Sequence, residues 1–184
     1  PRMFRHWKSR TLINRMGFNN DGADKTAERM SVLKEKNCWP KIPIAINLGK
    51  SKITDNDNAA EDYCASIDKL WKFGDFFVIN ISSPNTPNLR DLQTDENLSK
   101  LLQKCIEKNL QCSKKYLETE KPILVKVAPD LDDEQLALIA RTARSCGLSG
   151  IVATNTTIER PELNSKKGKK FISEKGGLSG DYLS

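Results

Sequence analysis

The chain has 184 residues, of which 38% are hydrophobic and 29% are charged. This length allows one domain with a hydrophobic core, and the composition is that of an ordinary soluble protein. The net charge is +6, but no nucleic-acid motif and no arginine–aromatic pattern accompanies it, so nucleic acid is not an expected partner. No apolar run approaches the roughly 20 residues of a membrane span, and no signal peptide is recognisable.

The cysteine and histidine content argues against several kinds of site. Five cysteines are scattered along the chain without a CxxC pair, and their odd number disfavours a disulfide framework or a zinc site. This usage predicts a reducing compartment. His6 is the single histidine, which disfavours both a Ser-His-Asp triad and a histidine-based metal site, so no metal is expected.

The first part of the chain predicts a loop, a helix, a strand and a second helix. Pro1–Asn20 is an irregular segment whose glycine, flanked by amides, indicates either a turn before a helix or a loop that approaches a ligand. A strand is predicted over Pro43–Leu48 and a helix over Asp57–Phe73, with Gly74 as its stop. Apolar spacing predicts the first helix over about Ala23–Lys36. Its inward-facing residues are Ala27, Met30 and Leu33.

The second part predicts three more strands with helices between them. Phe76–Ile81 is a continuous apolar run, typical of a parallel strand buried on both faces. Pro122–Val127 and Gly150–Thr154 are the other two strands. Asp132 with Gln135 resembles a capping box, at the start of a helix that ends near Gly147. A long amphipathic helix before the second of these strands carries Leu98, Leu101, Leu102, Cys105, Ile106 and Leu110.

A dense basic run, Lys166–Lys170, interrupted only by Gly168, follows the last of these strands. Such a run can contact phosphates or an anionic membrane. A solvated loop is the favoured interpretation, because no accompanying motif points to a ligand.

Strands and helices therefore alternate along the chain, which predicts parallel strands in a sheet covered on both faces. A doubly wound sheet and a (β/α)8 TIM barrel both fit this alternation. Four convincing strands are visible, whereas a complete barrel has eight. The pattern alone predicts either a small open sheet or half of a barrel.

Asparagines recur where the predicted strands end. Asn47, Asn80 and Asn155 each close a strand, and Asn14 and Asn85 lie in loops. The carboxyl ends of parallel strands meet at one edge of a sheet, where ligands bind. Amides both donate and accept hydrogen bonds, so this set suits a planar heterocycle with alternating N–H and C=O groups.

Lys126 is the single charge in an apolar strand. A buried lysine without a partner is costly, so we expect it to face an anion or an electron-rich group, such as a reduced flavin or a carboxylate. The alternatives are that its side chain extends to the strand end or that it pairs with Asp130.

The loop after Asn80 contains no histidine, aspartate or glutamate that could act as a base. If a proton is removed there, Ser83 is the candidate base, since a hydroxyl can act when its own proton is passed on. Thr86 or an ordered water is the candidate acceptor of that proton.

Six motifs together resemble the class 2 dihydroorotate dehydrogenases, in the order and at the spacing of that family. Class 1 relatives carry a cysteine where this chain has Ser83, so the serine indicates class 2. The motifs are Asn14–Asn20 (NRMGFNN), Asn47–Lys50 (NLGK), Asn80–Pro87 (NISSPNTP), Leu124–Leu131 (LVKVAPDL), Thr154–Thr157 (TNTT) and Gly176–Gly180 (GGLSG).

The resemblance implies a (β/α)8 barrel that oxidises dihydroorotate to orotate, with FMN as hydride acceptor and a quinone as the final electron acceptor. Ser83 and Thr86 would be catalytic, and Arg5 would line a quinone tunnel. The implied substrate-binding residues are Asn14, Arg15, Met16, Gly17, Phe18, Asn80, Asn85, Asn155 and Thr156. The implied FMN-binding residues are Asn47, Asn80, Lys126, Thr154, Ser179 and Gly180.

The resemblance also implies parts that this sequence does not contain. Residues 1–184 correspond to about strands three to six of one barrel domain, without the N-terminal helices for membrane and quinone or the C-terminal strands that bind the FMN phosphate. The chain is therefore expected to be a piece of a longer protein, associated with the mitochondrial inner membrane in a eukaryote or the cytoplasmic membrane in a bacterium. Alternatives are an inactive ligand-binding or scaffold protein and another FMN barrel oxidoreductase.

Overall fold

The computed structural model describes residues 2–86, 88–93 and 95–183 and is an α/β fold with two sheets. Pro87, the last residue of the predicted serine-containing loop, lies outside the described residues. The strands are β1 (Met3–His6), β2 (Thr11–Asn14), β3 (Ala45–Leu48), β4 (Phe76–Asn80), β5 (Ile123–Lys126), β6 (Gly150–Val152) and β7 (Gly177–Gly180). The helices are α1 (Gly22–Glu35), α2 (Ala59–Leu70), α3 (Asp95–Tyr116), α4 (Asp133–Ser145) and α5 (Lys166–Ile172).

The main sheet is parallel, with the order β3-β4-β5-β6, and each of its neighbouring strands is joined through a helix. This arrangement confirms the predicted strand–helix alternation and is that of a partial (β/α)8 barrel. Where bounds were predicted for the strands and helices of this sheet, they differ from the observed ones by a few residues at most. None of the helices in the described ranges is both long and apolar enough to cross a bilayer.

The core lies between the main sheet and helices α1 to α4. Alternate strand residues, such as Phe77 and Ile79 of β4, face the helices and have no exposed surface. Tyr63 and Trp71 are the largest side chains that meet them from the α2 side. Cys105 of α3 is fully buried in the same core, as predicted. Leu33 and Leu110 were expected on the inner faces of their helices, but each is about 40% exposed.

On the opposite face of the main sheet, Val78 and Asn80 of β4 are buried, as predicted for that strand, but β3 and β5 differ from the prediction of burial on both sides. Ala45 and Asn47 of β3 are exposed, while the alternate residues Ile46 and Leu48 are buried. On β5, Leu124 and Lys126 lie on this second face and are half-buried. A face without covering helices is what the interior of a barrel presents when only part of the barrel is present.

The N-terminal segment was expected to be irregular, but it forms an antiparallel hairpin of β1 and β2. A 3₁₀ turn, Trp7–Ser9, joins the two strands, and β2 pairs on its other side with β7. Neither β1 (MFRH) nor β2 (TLIN) contains the longer apolar run that identified the strands of the main sheet. The sequence of β7 (GLSG) does not predict a strand either, because glycine is disfavoured in strands unless a neighbouring strand supplies the pairing.

The lysine run was expected to be a loop, but it forms the short helix α5. Ser165 caps this helix by accepting a hydrogen bond from Gly168 N at 2.9 Å. Phe171 is buried against the hairpin and Gly168 against Leu163, while the four lysines are exposed. The apolar contact of Phe171 therefore decides the structure of this segment, and the lysines cover its outer side.

Helix α4 begins with the predicted capping box, which generates a test of local stability. Asp132 Oδ1 accepts from Gln135 N at 2.8 Å, and Gln135 Oε1 accepts from Asp132 N at 3.1 Å. Asp132→Ala should lower the free energy of unfolding by about 1 kcal/mol, because it removes the side-chain acceptor. The measurement is urea unfolding of the full-length protein followed by circular dichroism. Asp132→Asn, which keeps an acceptor, should lose much less; equal losses would assign the effect to the charge rather than the cap.

Candidate active site

The loop that follows β4 brings Asn80, Ser82 and Asn155 into one hydrogen-bonded group. Asn80 Oδ1 accepts from Ser82 Oγ at 2.9 Å and from Asn155 Nδ2 at 3.4 Å. Asn155 Nδ2 also donates to Ser82 Oγ at 3.0 Å, and its Oδ1 accepts from Thr156 N at 2.8 Å. The structure therefore joins the asparagines at the ends of β4 and β6, as the sequence predicted.

A second group contains Asn14, Ser83 and Asn85. Asn85 Nδ2 donates to the Asn14 backbone oxygen at 3.1 Å, and Asn85 N donates to Ser83 Oγ at 3.2 Å. Ser83 is 6% exposed. These bonds fix the position of the Ser83 hydroxyl between the hairpin and the main sheet. Thr86 is buried in the same loop, and no hydrogen bond joins its hydroxyl to that of Ser83 within the described residues.

Tyr63 supports the first group from the helix side. Its hydroxyl donates to Asn80 O at 2.8 Å in the core. Burial raises the pKa of Tyr63 well above its ordinary value, because the phenolate would lose its hydration. Tyr63 therefore stays a neutral donor and links α2 to the end of β4.

Arg90 ties together the loops that follow β4, β5 and β6. Its guanidinium donates to Ser82 O at 3.2 Å, to Asp130 Oδ2 at 2.8 Å and to Thr156 O at 3.1 Å. Asp130 also accepts from Thr157 Oγ1 and from Ile158 N at 3.2 Å. The sequence alone does not single out Arg90. The only signal was a lone arginine soon after a rigid polar loop, which does not reveal its partners.

Lys126 does not pair with Asp130, because Arg90 binds that carboxylate. It lies half-buried on the open face of the sheet, next to Asn80, its register partner on β4. The neighbouring row on this face contains, in register, Asn47, Val78, Leu124 and Gly150. This row is apolar except for Asn47 at its end, and together with the Asn80 amide and the Lys126 cation it fits a planar ring system with one polar, electron-rich edge.

The remaining predicted residues are spread over the neighbouring segments. Thr154 is exposed just after β6, whereas Ser179 and Gly180 lie on β7 and pair with β2. The small sheet adjoins the site through a β-bridge in which Leu178 N donates to Thr157 O at 2.7 Å and Thr157 N donates to Leu178 O at 3.0 Å. Gly177 is required there, since a Cβ would lie 1.8 Å from Thr156 Oγ1.

The segment that follows β2 lies beside the same loops. Arg15 binds Glu174 at 2.9 Å and stacks over Phe4. Met16 N donates to Asn14 Oδ1, and Gly17 adopts a positive φ of 67°. Phe18 packs against Gly49, and the two line a cavity of about 330 Å³ with Asn47, Asn85 and Thr86.

Arg5 lies apart from these groups, on β1, where its guanidinium stacks over the Trp7 ring at 4.7 Å. The structure therefore brings Ser83 and four of the asparagines into one loop region and leaves Arg5, Ser179 and Gly180 on the small sheet. The four asparagines are Asn14, Asn80, Asn85 and Asn155. In the described part of the chain, no three His, Cys, Asp or Glu side chains are grouped as metal ligands would be.

Comparisons with known proteins agree with this arrangement. The family model described as dihydroorotate dehydrogenase matches residues 1–184. A protein named dihydroorotate dehydrogenase (quinone) from Trichodesmium erythraeum is 46% identical and covers 100% of this chain, which covers 47% of that protein. A protein of the same name from Thermosynechococcus vestitus is 48% identical, with coverages of 100% and 48%.

Solved structures give the same result. The crystal structure of DHODH from Eimeria tenella in complex with ferulenol superposes with a TM-score of 0.87 at 34% identity. That match covers 99% of this chain and 51% of the Eimeria chain. The chain thus spans about half the length of the relatives it matches.

The Arg90 contacts generate a test of how far the site depends on them. Arg90→Ala should lower the free energy of unfolding by about 2 kcal/mol, because two carbonyls and the Asp130 carboxylate lose a charged donor. Arg90→Lys should recover only part of this, since lysine lacks the planar fork. Urea unfolding of the full-length protein is the measurement.

The matched control is Arg29→Ala, which removes an arginine whose ion pair with Asp21 is exposed. It should leave the free energy of unfolding nearly unchanged. A loss for Arg90→Ala no larger than that for Arg29→Ala would contradict a structural role of Arg90.

Proposed function

The chain belongs to the dihydroorotate dehydrogenase family, and on this premise we propose that the complete protein oxidises dihydroorotate to orotate in pyrimidine biosynthesis, with a quinone as electron acceptor. The observation that carries the proposal is the position of the Ser83 hydroxyl. It lies in the loop after β4, held by Asn85 N, and the adjacent Ser82 hydroxyl is bonded to Asn80 and Asn155. A proton acceptor beside several fixed amides suits a substrate with amide-like edges.

Ser83 Oγ is the proposed base that removes the proton from C5 of dihydroorotate. The bond from Asn85 N leaves the hydroxyl proton of Ser83 free to be passed on as the new O–H bond forms. Thr86, in the same loop, or a water is the proposed next carrier of that proton. This loop contains no charged residue that could act as a base. In this proposal the rigidity of the loop positions Ser83 against the substrate, and its desolvation excludes water from the reacting atoms.

The amides orient the substrate in this proposal. Asn14 and Asn85 hold one side of the ring, and Asn80 and Asn155, with Thr156, hold the other. The residues Arg15, Met16, Gly17 and Phe18 bring the chain after β2 against the same substrate. Because Asn80, Asn85 and Asn155 already make bonds within the protein, their side chains are ordered before the ligand arrives.

The proposed cofactor is a flavin, FMN, bound against the open face of the main sheet. When bound, it supplies the acceptor for the hydride that leaves C6 of the substrate. The row of Asn47, Val78, Leu124 and Gly150 fits the flat ring, and Asn80 and Lys126 fit its polar edge. Thr154, Ser179 and Gly180 complete the proposed set. Lys126 holds a positive charge beside the edge on which negative charge gathers.

Quinone use implies access to a lipid phase, and we propose membrane association of the complete protein. The membrane would be the mitochondrial inner membrane in a eukaryote and the cytoplasmic membrane in a bacterium. Arg5, on β1 beside the exposed ring of Trp7, is the proposed contact to the quinone.

Ser83→Ala tests the proposed base in the full-length, flavin-loaded enzyme. Dihydroorotate-dependent quinone reduction should fall by about 10²-fold or more, the usual contribution of a positioned base. Ser82→Ala is the matched control: it loosens Asn80 and Asn155 and should raise KM more than it lowers kcat. A wild-type enzyme that binds flavin but ignores dihydroorotate would overturn the proposed activity. A Ser83→Ala enzyme of normal rate would overturn the base alone.

Lys126→Gln tests the proposed cofactor face. Loss of the charged donor should weaken flavin binding by about tenfold or more, measured by flavin fluorescence on dilution. Lys72→Gln, at an exposed lysine just beyond α2, is the control and should leave flavin affinity unchanged. Unchanged affinity in Lys126→Gln would place the flavin elsewhere.

A further inference from the structure

Two cysteines meet where helices α2 and α3 pack against each other. Cys64 of α2 donates a hydrogen bond from its Sγ to the backbone oxygen of Lys104 at 3.4 Å. The next residue of α3, Cys105, is fully buried, and its thiol is in hydrogen-bonding contact with that of Cys64. The two cysteines are far apart in the sequence, so the packing of the helices is what brings them together.

Contacts on either side of the cysteines fix the register of α2 against α3. About one turn before Cys64, Glu61 forms an ion pair with Lys104. About one turn after it, Asp68 Oδ1 accepts a hydrogen bond from Cys112 Sγ at 3.7 Å. The two helices therefore need not slide for the thiols to react with each other. Sulfurs already in contact need only a small side-chain movement to form a bond.

The two thiols differ in reactivity because their surroundings differ. The hydrogen bond from Cys105 holds the pKa of Cys64 below its ordinary value, because it stabilises the thiolate. The ammonium groups of Lys104 and Lys108 add to this effect, while burial and the Glu61 carboxylate oppose it. The same hydrogen bond, together with burial, raises the pKa of Cys105 well above its ordinary value.

The exposure of the two thiols differs in the same sense. Cys64 is half-buried, so part of it meets the solvent, whereas Cys105 has no exposed surface. Reactive redox cysteines are accessible, have a lowered pKa and often lie next to a second cysteine that resolves the oxidised form. Cys64 has the properties of the first residue, and Cys105 has the position of the second.

We propose that Cys64 is a peroxide-sensitive site and that its oxidation ends in a disulfide with Cys105. The Cys64 thiolate attacks one oxygen of hydrogen peroxide, the O–O bond breaks, and the hydroxide that leaves takes up the proton lost by the thiol. The Cys105 sulfur then attacks the sulfur of the resulting sulfenic acid, and its proton leaves with the hydroxyl group as water. Two thiols are oxidised to one disulfide, and one peroxide is reduced to two waters.

The disulfide would close the part of the chain that lies between the two cysteines. This part contains β4 and the loop with Ser83. Closing a loop restricts the unfolded chain, so the oxidised protein should resist unfolding more than the reduced protein does. In the reducing compartment that the cysteine usage predicts, such a bond is transient and is reversed by thiols. The proposal is independent of the proposed enzymatic activity, because it depends on the thiols alone.

The test exposes the full-length holoenzyme to increasing hydrogen peroxide and maps its cysteines by mass spectrometry of unreduced peptides. A pair of peptides linked through Cys64 and Cys105 should appear, with the loss of two free thiols, and dithiothreitol should restore both. The midpoint of urea unfolding should be higher for the oxidised than for the reduced protein. Cys64→Ser should form no such link and should show no shift of the midpoint.

Cys105→Ala tests the order of the two steps, since it removes the resolving thiol and keeps a small apolar side chain in the core. In this variant Cys64 should remain a sulfenic acid and be labelled by dimedone, whereas the wild-type protein should be labelled little at Cys64. Cys38→Ser is the matched control, because Cys38 is an exposed cysteine outside the α2–α3 interface. It should form the Cys64–Cys105 link as the wild type does.

Three results would overturn the proposal, and all are read from the wild-type protein, so they do not depend on the folding of a variant. The first is that Cys64 and Cys105 both stay reduced at a peroxide concentration that oxidises the exposed Cys38. The second is that Cys64 is oxidised but stays a sulfenic acid beside an unreacted Cys105. The third is that Cys64 forms its disulfide with a different cysteine.

Discussion

The three hydrogen bonds that Arg90 donates, one to the Asp130 carboxylate and two to backbone carbonyls, are the constraint on which the candidate site depends. Three loops leave three parallel strands, and nothing in the sheet itself fixes the distances between them. Arg90 joins all three, and Asp130 extends the connection to Thr157. The hydroxyls and amides of the site can be spread over distant parts of the chain because this buried, charge-assisted network holds their loops together.

The sequence allowed most of the main sheet to be predicted, because apolar runs such as Phe76–Ile81 and the Asp132–Gln135 capping box are local signals. The convergence of Asn80 and Asn155 was also predictable, since parallel strands end at one edge. Arg90 was missed because its three acceptors are distant in sequence. The hairpin and α5 were missed because short elements take their structure from tertiary partners, β7 and the contact of Phe171, rather than from periodicity.

The two faces of the main sheet separate stability from binding. Phe77, Ile79 and their neighbours pack against helices and supply the core, so this face tolerates little change. The opposite face carries Asn47, Leu124 and Lys126, which the core does not need. The side chains on that face are therefore available for contacts outside the strands. Successive residues of each strand therefore alternate between the core face, which supplies stability, and the opposite face, which is available for binding.

The β-bridge between Thr157 and Leu178 fixes both ends of the intervening chain, so insertions can change the length of that chain. Both ends of the 158–177 excursion are clamped by reciprocal backbone hydrogen bonds, at 3.0 and 2.7 Å. The cost of closing a flexible loop grows slowly with length, by roughly 0.6 kcal/mol for each doubling. Insertions around α5 can therefore lengthen the excursion without moving the strand ends. This is a natural place to graft a reporter peptide or an affinity tag.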